Sequence, residues 1–134
     1  MRTIEVEGIG PVFAQTLREK AGINTIEQLL EAGATRKGRA ELAEKTGIDP
    51  KKILRWVNMA DLFRIKGVAE EYSDLLEAAG VDTVKELRQR NPDNLHAAIL
   101  ATNQDRKLVR RVPSLSMVTN WVAQAKELPA KVEY

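Results

Sequence analysis

The amino-acid sequence predicts an all-α fold in which two tandem repeats form one compact helical body. Apolar residues recur at helical spacing along the chain, and no stretch alternates convincingly between apolar and polar residues as a strand would. Helix-start and helix-stop signals follow each other in the same order in both halves. We therefore expect a first repeat over residues 1–62 and a second over residues 63–134, sharing one core.

The repeat appears when the chain is compared with itself. Three blocks align, at offsets of 59, 58 and 65 residues: Gly8-Ile9-Gly10 with Gly67-Val68-Ala69, Ala21-Gly22-Ile23 with Ala79-Gly80-Val81, and Trp56-Val57 with Trp121-Val122. The change to 65 indicates that the second copy carries an insertion between the last two blocks. Trp56 and Trp121 lie within apolar stripes, so we expect them in the core rather than stacked on bases.

Gly8-Ile9-Gly10-Pro11 predicts a tight hairpin followed at once by a helix. A glycine on each side of Ile9 lets the backbone turn while Ile9 anchors the turn in a core. Pro11 suits the first helical position, because its missing N–H is not needed there. Amides at a helix start are a potential phosphate site. A purely structural turn is the alternative.

Local signals delimit the other helices. Thr25 and Thr83 begin capping boxes with Gln28 and Glu86, and a glycine follows each of several helices as a stop signal. The later helices are expected over about 37–46, 50–62, 70–79, 83–90 and 92–102, with a polar connection at 103–105 and a final helix after Pro113-Ser114.

Composition restricts the chemistry. The chain has no cysteine, which excludes disulfides and thiolate metal sites, and its single histidine disfavours a Ser–His–acid relay. We therefore expect no enzyme, no cofactor and no metal site. No apolar run is long enough to span a bilayer, and we expect a cytoplasmic protein.

Basic residues are concentrated in the first half. Residues 1–66 contain 12 Lys and Arg against 9 Asp and Glu, whereas residues 67–134 contain 9 against 10. Two clusters lie at the starts of the third and fourth helices and would form one positive surface if the helices present them together. A solvated face balanced by Glu41 and Glu44 is the alternative. The clusters are Arg36, Lys37 and Arg39, and Lys51, Lys52 and Arg55.

A third basic cluster runs from Arg106 to Arg111, with Leu108 and Val109 between the charges. It fits either a clamp on a phosphate backbone or a short helix pinned by the two apolar residues. Its role, functional or structural, stays open at this point.

The first hairpin resembles the helix-hairpin-helix motif, since Gly8-Ile9-Gly10-Pro11 is followed by an apolar residue, an aromatic residue and alanine, and later by Ala21-Gly22-Ile23. The longer arrangement resembles a bacterial domain-of-unknown-function family of tandem helix-hairpin-helix proteins. The resemblance covers nearly the whole chain. It rests on Gly33-Ala34-Thr35, residues 42–48, 53–58 and 61–68, and Leu108-Val109-Arg110-Arg111.

The resemblance implies contacts with a sugar-phosphate backbone. In DNA repair enzymes, ligases and polymerases the motif usually holds that backbone without reading sequence. The implied contacts here are the backbone amides of Gly8, Ile9, Gly10 and Val12, helped by nearby Lys and Arg. Two features depart from the pattern. Acidic residues crowd both hairpins (Glu5, Glu7, Glu70 and Glu71), and Ala69 replaces the second glycine in the second copy.

Two functions follow as hypotheses. The first is a non-catalytic module that binds nucleic acid, most simply the DNA backbone, independently of sequence. The alternative is a protein–protein interaction module that keeps the fold but has lost phosphate binding. The acidic hairpins favour the alternative, and the two basic clusters of the first half favour the former.

Overall fold

The computed structural model describes residues 3–134, and every regular element in that range is a helix, apart from one isolated bridge between Thr3 and Thr25. The all-α prediction is confirmed. No helix among these residues has the length and apolar character needed to cross a membrane. The helices are α1 (Pro11–Ala21), α2 (Ile26–Gly33), α3 (Arg36–Thr46), α4 (Pro50–Leu62), α5 (Glu70–Ala78), α6 (Val84–Leu87), α7 (Pro92–Arg106) and α8 (Leu115–Glu127).

The chain divides into two compact units. Unit 1 comprises the residues up to Asp61 together with Lys131–Tyr134, and unit 2 comprises Leu62–Ala130. The repeat boundary expected from the sequence falls between residues 62 and 63 and assigns the last four residues to the second repeat. In the structure these four residues belong to unit 1.

Unit 1 is held together by α3, which packs against α1 and α2, and by α4. The side chain of Trp56 on α4 is buried, and its ring centroid lies 5.2 Å from that of Phe13 on α1. Helix α4 also lies close to α2, because a Cβ at Gly33 would overlap Cγ2 of Val57. The N-terminal half of α4 is thereby fixed beside the first turn of α1.

Unit 2 has a continuous apolar core. Helix α7 packs against α5 and α8, and α6 packs against α8. Trp121 is buried, as expected, and its ring centroid lies 5.3 Å from that of Tyr72 on α5. The core includes Leu62, Ile65, Val68, Leu75, Leu76, Val81, Val84, Leu87, Leu95, Ile99, Val109, Val118, Trp121, Val122 and Ala125.

Residues that align in the sequence make equivalent contacts in the two units. The aromatic pairs have interplanar angles of 55° and 52°. The N–H of Ile23 donates to the carbonyl of Leu17 at 3.1 Å, and the N–H of Val81 donates to that of Leu76 at 2.8 Å. The hydroxyls of Thr25 and Thr83 both cap the helices that follow them, at 3.1 and 3.2 Å.

The polar connection expected at residues 103–105 is wrong, because α7 continues to Arg106. An asparagine side chain near the end of a helix often competes with helical hydrogen bonding. Here the side chain of Asn103 instead bonds forward to the backbone of Val109, while the Asn103 carbonyl accepts the N–H of Lys107 at 2.8 Å. These bonds to the following loop are compatible with a helix that continues to Arg106.

Replacing Asp82 by asparagine should stabilise the protein at neutral pH. Partial burial, and then the charge of Glu77, raise the pKa of Asp82 above its ordinary value of 3.8. The folded state therefore binds a proton more tightly than the unfolded state, and stability falls as pH rises from about 3.8 through the raised pKa. Asn24 occupies the aligned position in unit 1.

Urea unfolding at several pH values tests this. The midpoint of Asp82→Asn should exceed that of the wild type at pH 7, and the two should converge below pH ~3.8. A difference that is independent of pH would contradict the assignment.

Candidate nucleic-acid interface

The first hairpin is a closed turn whose own hydrogen bonds use two of the predicted amides. The N–H groups of Ile9 and Gly10 both donate to the carbonyl of Val6, at 3.1 and 3.0 Å. The Ile9 side chain is buried, and Gly10 has a φ of +82°, which favours glycine. Since both amides already have an acceptor, the phosphate contacts proposed for this hairpin do not include Ile9 and Gly10. Gly8 is exposed at the tip of the turn.

The start of α1 is the part of the hairpin best suited to an oxyanion. Pro11 occupies its first turn, and Gly10 at the N-cap position has no side chain with which to cap the helix. Val12 is 73% exposed. The amides at a helix start carry partial positive charge and lack acceptors within the helix. Val12 therefore keeps its place among the candidate contacts.

Acidic residues line one side of the same hairpin. A cavity of about 310 Å³ is formed by Glu5, Val6, Glu7, Gly10 and Pro11. Arg18 neutralises Glu5 in part through an ion pair of 2.8 Å. A phosphate would be repelled from this cavity, so an anion reaching Val12 must approach from another side.

The starts of α3 and α4 supply cations. Arg36 and Lys37 are exposed in the first turn of α3, and Lys51 and Lys52 are exposed in that of α4. Neither first turn contains an acidic residue. Cations at a helix start are disfavoured by the helix dipole, by about 0.3–1 kcal/mol each. The start of α4 also has an acid just outside the helix, since the carboxylate of Asp49 accepts the N–H of Lys51 at 2.8 Å. Four cations nevertheless stand in first turns, where the helix dipole favours acids.

The structure brings several of these residues together within unit 1. Arg36 and Lys51 line one cavity of about 380 Å³, with apolar walls from Pro50 and Leu54. Its remaining lining residues are Arg39, Ala40 and Tyr134. The starts of α3 and α4 thus share one concave surface. Lys37 and Arg55 are exposed on the same two helices but do not line this cavity.

Lys52 connects the basic surface to the hairpin. Its Nζ lies 5.6 Å from the ring centroid of Phe13, in the first turn of α1. That distance is within the range of a cation–π contact. A cation of α4 is therefore held beside the uncapped start of α1.

Arg39 has a structural role, so we no longer include it among the residues expected to contact phosphate. It is only 7% exposed. Its guanidinium donates to the carbonyls of Gly33 at 2.9 Å, Ala34 at 3.3 Å and Glu133 at 2.6 Å, and lies 5.8 Å from the centroid of the Tyr134 ring. Helical spacing was the signal that could have predicted this burial, because Arg39 lies three residues before Leu42, which is buried.

The second hairpin is occupied by internal contacts. The side chain of Gln124 accepts from the N–H of Lys66 at 2.8 Å and donates to its carbonyl at 3.0 Å. Gly67 has a φ of +97°, and a Cβ there would lie 3.1 Å from Nε1 of Trp121. Gln124 thus covers the backbone that precedes the turn. Together with Ala69 in place of the second glycine, these contacts favour a structural role for this hairpin.

Titratable residues do not assemble into a metal site. Among the residues that the structure describes, no three His, Cys, Asp or Glu side chains form a group able to hold a metal ion. The candidate surface therefore consists of amides and cations, which act by attracting anions.

The comparison with protein families gives one match. The model of the family described as Domain of unknown function (DUF4332) matches residues 7–128, which is most of the chain. No solved structure matches the chain significantly. The resemblance to a domain-of-unknown-function family is confirmed at this level.

Replacing Arg39 by alanine should destabilise the fold by about 2–4 kcal/mol, because buried carbonyls lose a charged donor. Arg39→Lys should recover only part of this loss, since an ammonium cannot reproduce the planar fork of the guanidinium. Urea unfolding measures both. Arg36→Ala is the matched control at an exposed site and should change stability by less than about 0.5 kcal/mol. Equal stabilities of the alanine variants would refute the structural role.

Proposed function

The chain belongs to the DUF4332 family, and we propose that its unit 1 is a non-catalytic module that binds the sugar-phosphate backbone of nucleic acid independently of sequence. We further propose that each unit is a helix-hairpin-helix repeat. Such a module acts where nucleic acid lies, which agrees with the cytoplasmic location expected from the sequence.

One observation carries the proposal. The contact of Lys52 with Phe13 brings the basic start of α4 beside the first turn of α1, where Gly10 provides no side-chain cap. A phosphate bound near Val12 would then meet helix amides and the ammonium group of Lys52. The proposal thus joins the two kinds of contact that the sequence suggested separately.

The positions of the cations on α3 and α4 also support phosphate binding. Arg36, Lys51 and Lys52 stand at helix starts, where they reduce helix stability rather than increase it. Residues that break a local preference are commonly found at functional sites. A bound phosphate would reverse the penalty, because it is attracted by the cations and the helix dipoles together.

Independence of sequence follows from the chemistry of the contacts. Backbone amides and flexible cations bind phosphate oxygens, which are the same at every base pair. If Arg36, Lys51 and Lys52 each neutralise one phosphate, the logarithm of the duplex affinity should fall against the logarithm of salt concentration with a slope of about −2 to −3.

The equivalent contacts of the two units support the repeat assignment. Each unit packs an aromatic residue of the post-hairpin helix on a buried tryptophan, and each caps its next helix with threonine. The two copies nevertheless use their hairpins differently. Ala69 replaces the second glycine of the second hairpin, and Glu70 and Glu71 lie in the first turn of the helix that follows it, so we assign the phosphate contact to the first hairpin.

The double variant Lys51→Glu/Lys52→Glu should lose at least about tenfold in affinity for a fluorescent DNA duplex at low salt, and its salt slope should be shallower by about 1.8. The helix dipole stabilises glutamate at a helix start, so the variant should fold. Fluorescence anisotropy over a salt series gives both quantities.

Lys20→Glu/Lys45→Glu is the matched control, since it makes the same change in net charge at exposed positions in the last turns of α1 and α3. It should change the slope much less. Equal losses in the two double variants, or no binding by the wild type at ~50 mM salt, would sink the proposal.

Binding of a protein partner is the second candidate, and the acidic cavity beside the first hairpin favours it. Glu5 and Glu7 line that cavity next to exposed Pro11, so it would suit a basic, partly apolar segment. In a nuclease-treated pulldown from native extract, Glu7→Lys should then lose a partner that Lys51→Glu/Lys52→Glu retains. The opposite pattern would favour a polyanion at the basic face.

A further inference from the structure

The connection between the last two helices of unit 2 is longer than its counterpart in unit 1. In unit 1, α3 ends at Thr46 and α4 begins at Pro50, so three residues join them. In unit 2, α7 ends at Arg106 and α8 begins at Leu115, so eight residues join them. Left-handed residues, Gly47 and Lys107, follow both helix ends. The 107–114 loop is thus five residues longer than its counterpart and holds most of the seven-residue insertion indicated by the change in offset from 58 to 65. It exceeds what the repeat needs to connect its helices.

The 107–114 loop is held in one conformation by contacts from two helices. The Asn103 amide donates to the carbonyl of Val109 at 3.1 Å and accepts from its N–H at 2.9 Å. The Val109 side chain is buried. The Tyr72 hydroxyl donates to the carbonyl of Arg111 at 3.1 Å. The short helix that the sequence allowed here does not form, because Asn103 takes both backbone groups of Val109.

Lys107 adopts a conformation that favours glycine. Its φ is +51°, and it is the only non-glycine residue in the range 3–134 with a positive φ. The left-handed conformation costs a residue with a side chain roughly 1–2 kcal/mol. Gly47 has a φ of +72° at the counterpart in unit 1. Unit 2 therefore keeps a cation where glycine would be less strained.

The rigid loop displays positive charge around a cavity. Arg106, Lys107, Arg110 and Arg111 are all exposed. A cavity of about 610 Å³ is lined by Glu71, Tyr72, Asn103 and residues 107–111. Among acidic residues, Glu71 lines the same cavity, and Asp105 directly precedes Arg106 in the sequence. Four cations against two acids leave the loop with a positive balance.

We propose that the 107–114 loop, together with Arg106, is a second phosphate-binding site, located in unit 2 and directed at the backbone of nucleic acid. Arginine forks match the geometry of phosphate oxygens, and three of the four cations are arginines. A loop fixed before binding loses little conformational entropy when its ligand arrives. The assignment of nucleic acid as the ligand rests on the function proposed for unit 1, while the loop and its charge do not.

The test uses the full chain and three variants. Arg110→Glu/Arg111→Glu reverses two exposed cations, and Lys85→Glu/Lys126→Glu makes the same charge change elsewhere in unit 2, at exposed positions. Asn103→Ala releases the loop backbone and leaves every cation in place. The probes are a fluorescent single-stranded DNA and a fluorescent oligoglutamate peptide, titrated by anisotropy at several salt concentrations, with thermal unfolding as a check on folding.

For single-stranded DNA, Arg110→Glu/Arg111→Glu should bind about tenfold more weakly than the wild type, with a salt slope shallower by about 1.4, as expected for two lost phosphate contacts. Lys85→Glu/Lys126→Glu should keep the wild-type slope. Asn103→Ala should weaken binding about threefold at unchanged net charge, as expected when a preorganised loop is released.

Other outcomes overturn the proposal in distinguishable ways. If the wild type binds DNA and the Arg110/Arg111 variant behaves like the Lys85/Lys126 control, the second site fails while the unit 1 proposal stands. If Asn103→Ala is folded and binds like the wild type, preorganisation is refuted. If the wild type binds the peptide and not DNA, and the Arg110/Arg111 variant loses the peptide, the loop serves an acidic protein segment. If neither probe binds, both proposals fall.

Discussion

A buried tryptophan packed on an aromatic residue holds each unit together at its hairpin. In unit 1, Trp56 of α4 meets Phe13 in the first turn of α1, and in unit 2, Trp121 of α8 meets Tyr72 in α5. The contact ties the last helix of the unit to the helix that follows the turn. In unit 1 it also sets the position of Lys52, one turn before Trp56, against the same Phe13 ring. The proposed phosphate contact therefore depends on core packing, and a change in this aromatic pair would move the cation relative to the helix start.

The two units share this plan and place their cations differently. Unit 1 joins α3 and α4 by three residues and has cations at the helix starts. Unit 2 has an eight-residue connection, and its cations lie in that loop and at the end of α7. The hairpins differ as well, since Gln124 bonds to the backbone of Lys66 ahead of the second turn, and the first turn of α5 contains Glu70 and Glu71 whereas that of α1 contains no acidic residue. The two units thus share their core contacts and differ in the placement of their charges.

Local signals predicted the helices well, because their causes lie within a few residues. The Thr25 and Thr83 caps form as expected, and Gly22 and Gly47 adopt the left-handed conformation that ends a helix. Prediction failed where side-chain bonds that the spacing does not record changed the local balance. Asn103 resembles a helix terminator, but its side chain bonds to the backbone of Val109, six residues ahead. Arg39 looks like a surface cation until Glu133, far away in sequence, supplies a carbonyl.

The sequence by itself determined the all-α class, the helix starts and the absence of thiol chemistry, since each follows from residue type and spacing. The tertiary structure decided which cations share a surface. It buried Arg39, brought Arg36 and Lys51 to one cavity, set Lys52 beside α1 and fixed the 107–114 loop. The physical reason is that phosphate attraction depends on distances between charges on different helices, and those distances are set by core packing that spacing along the chain does not record.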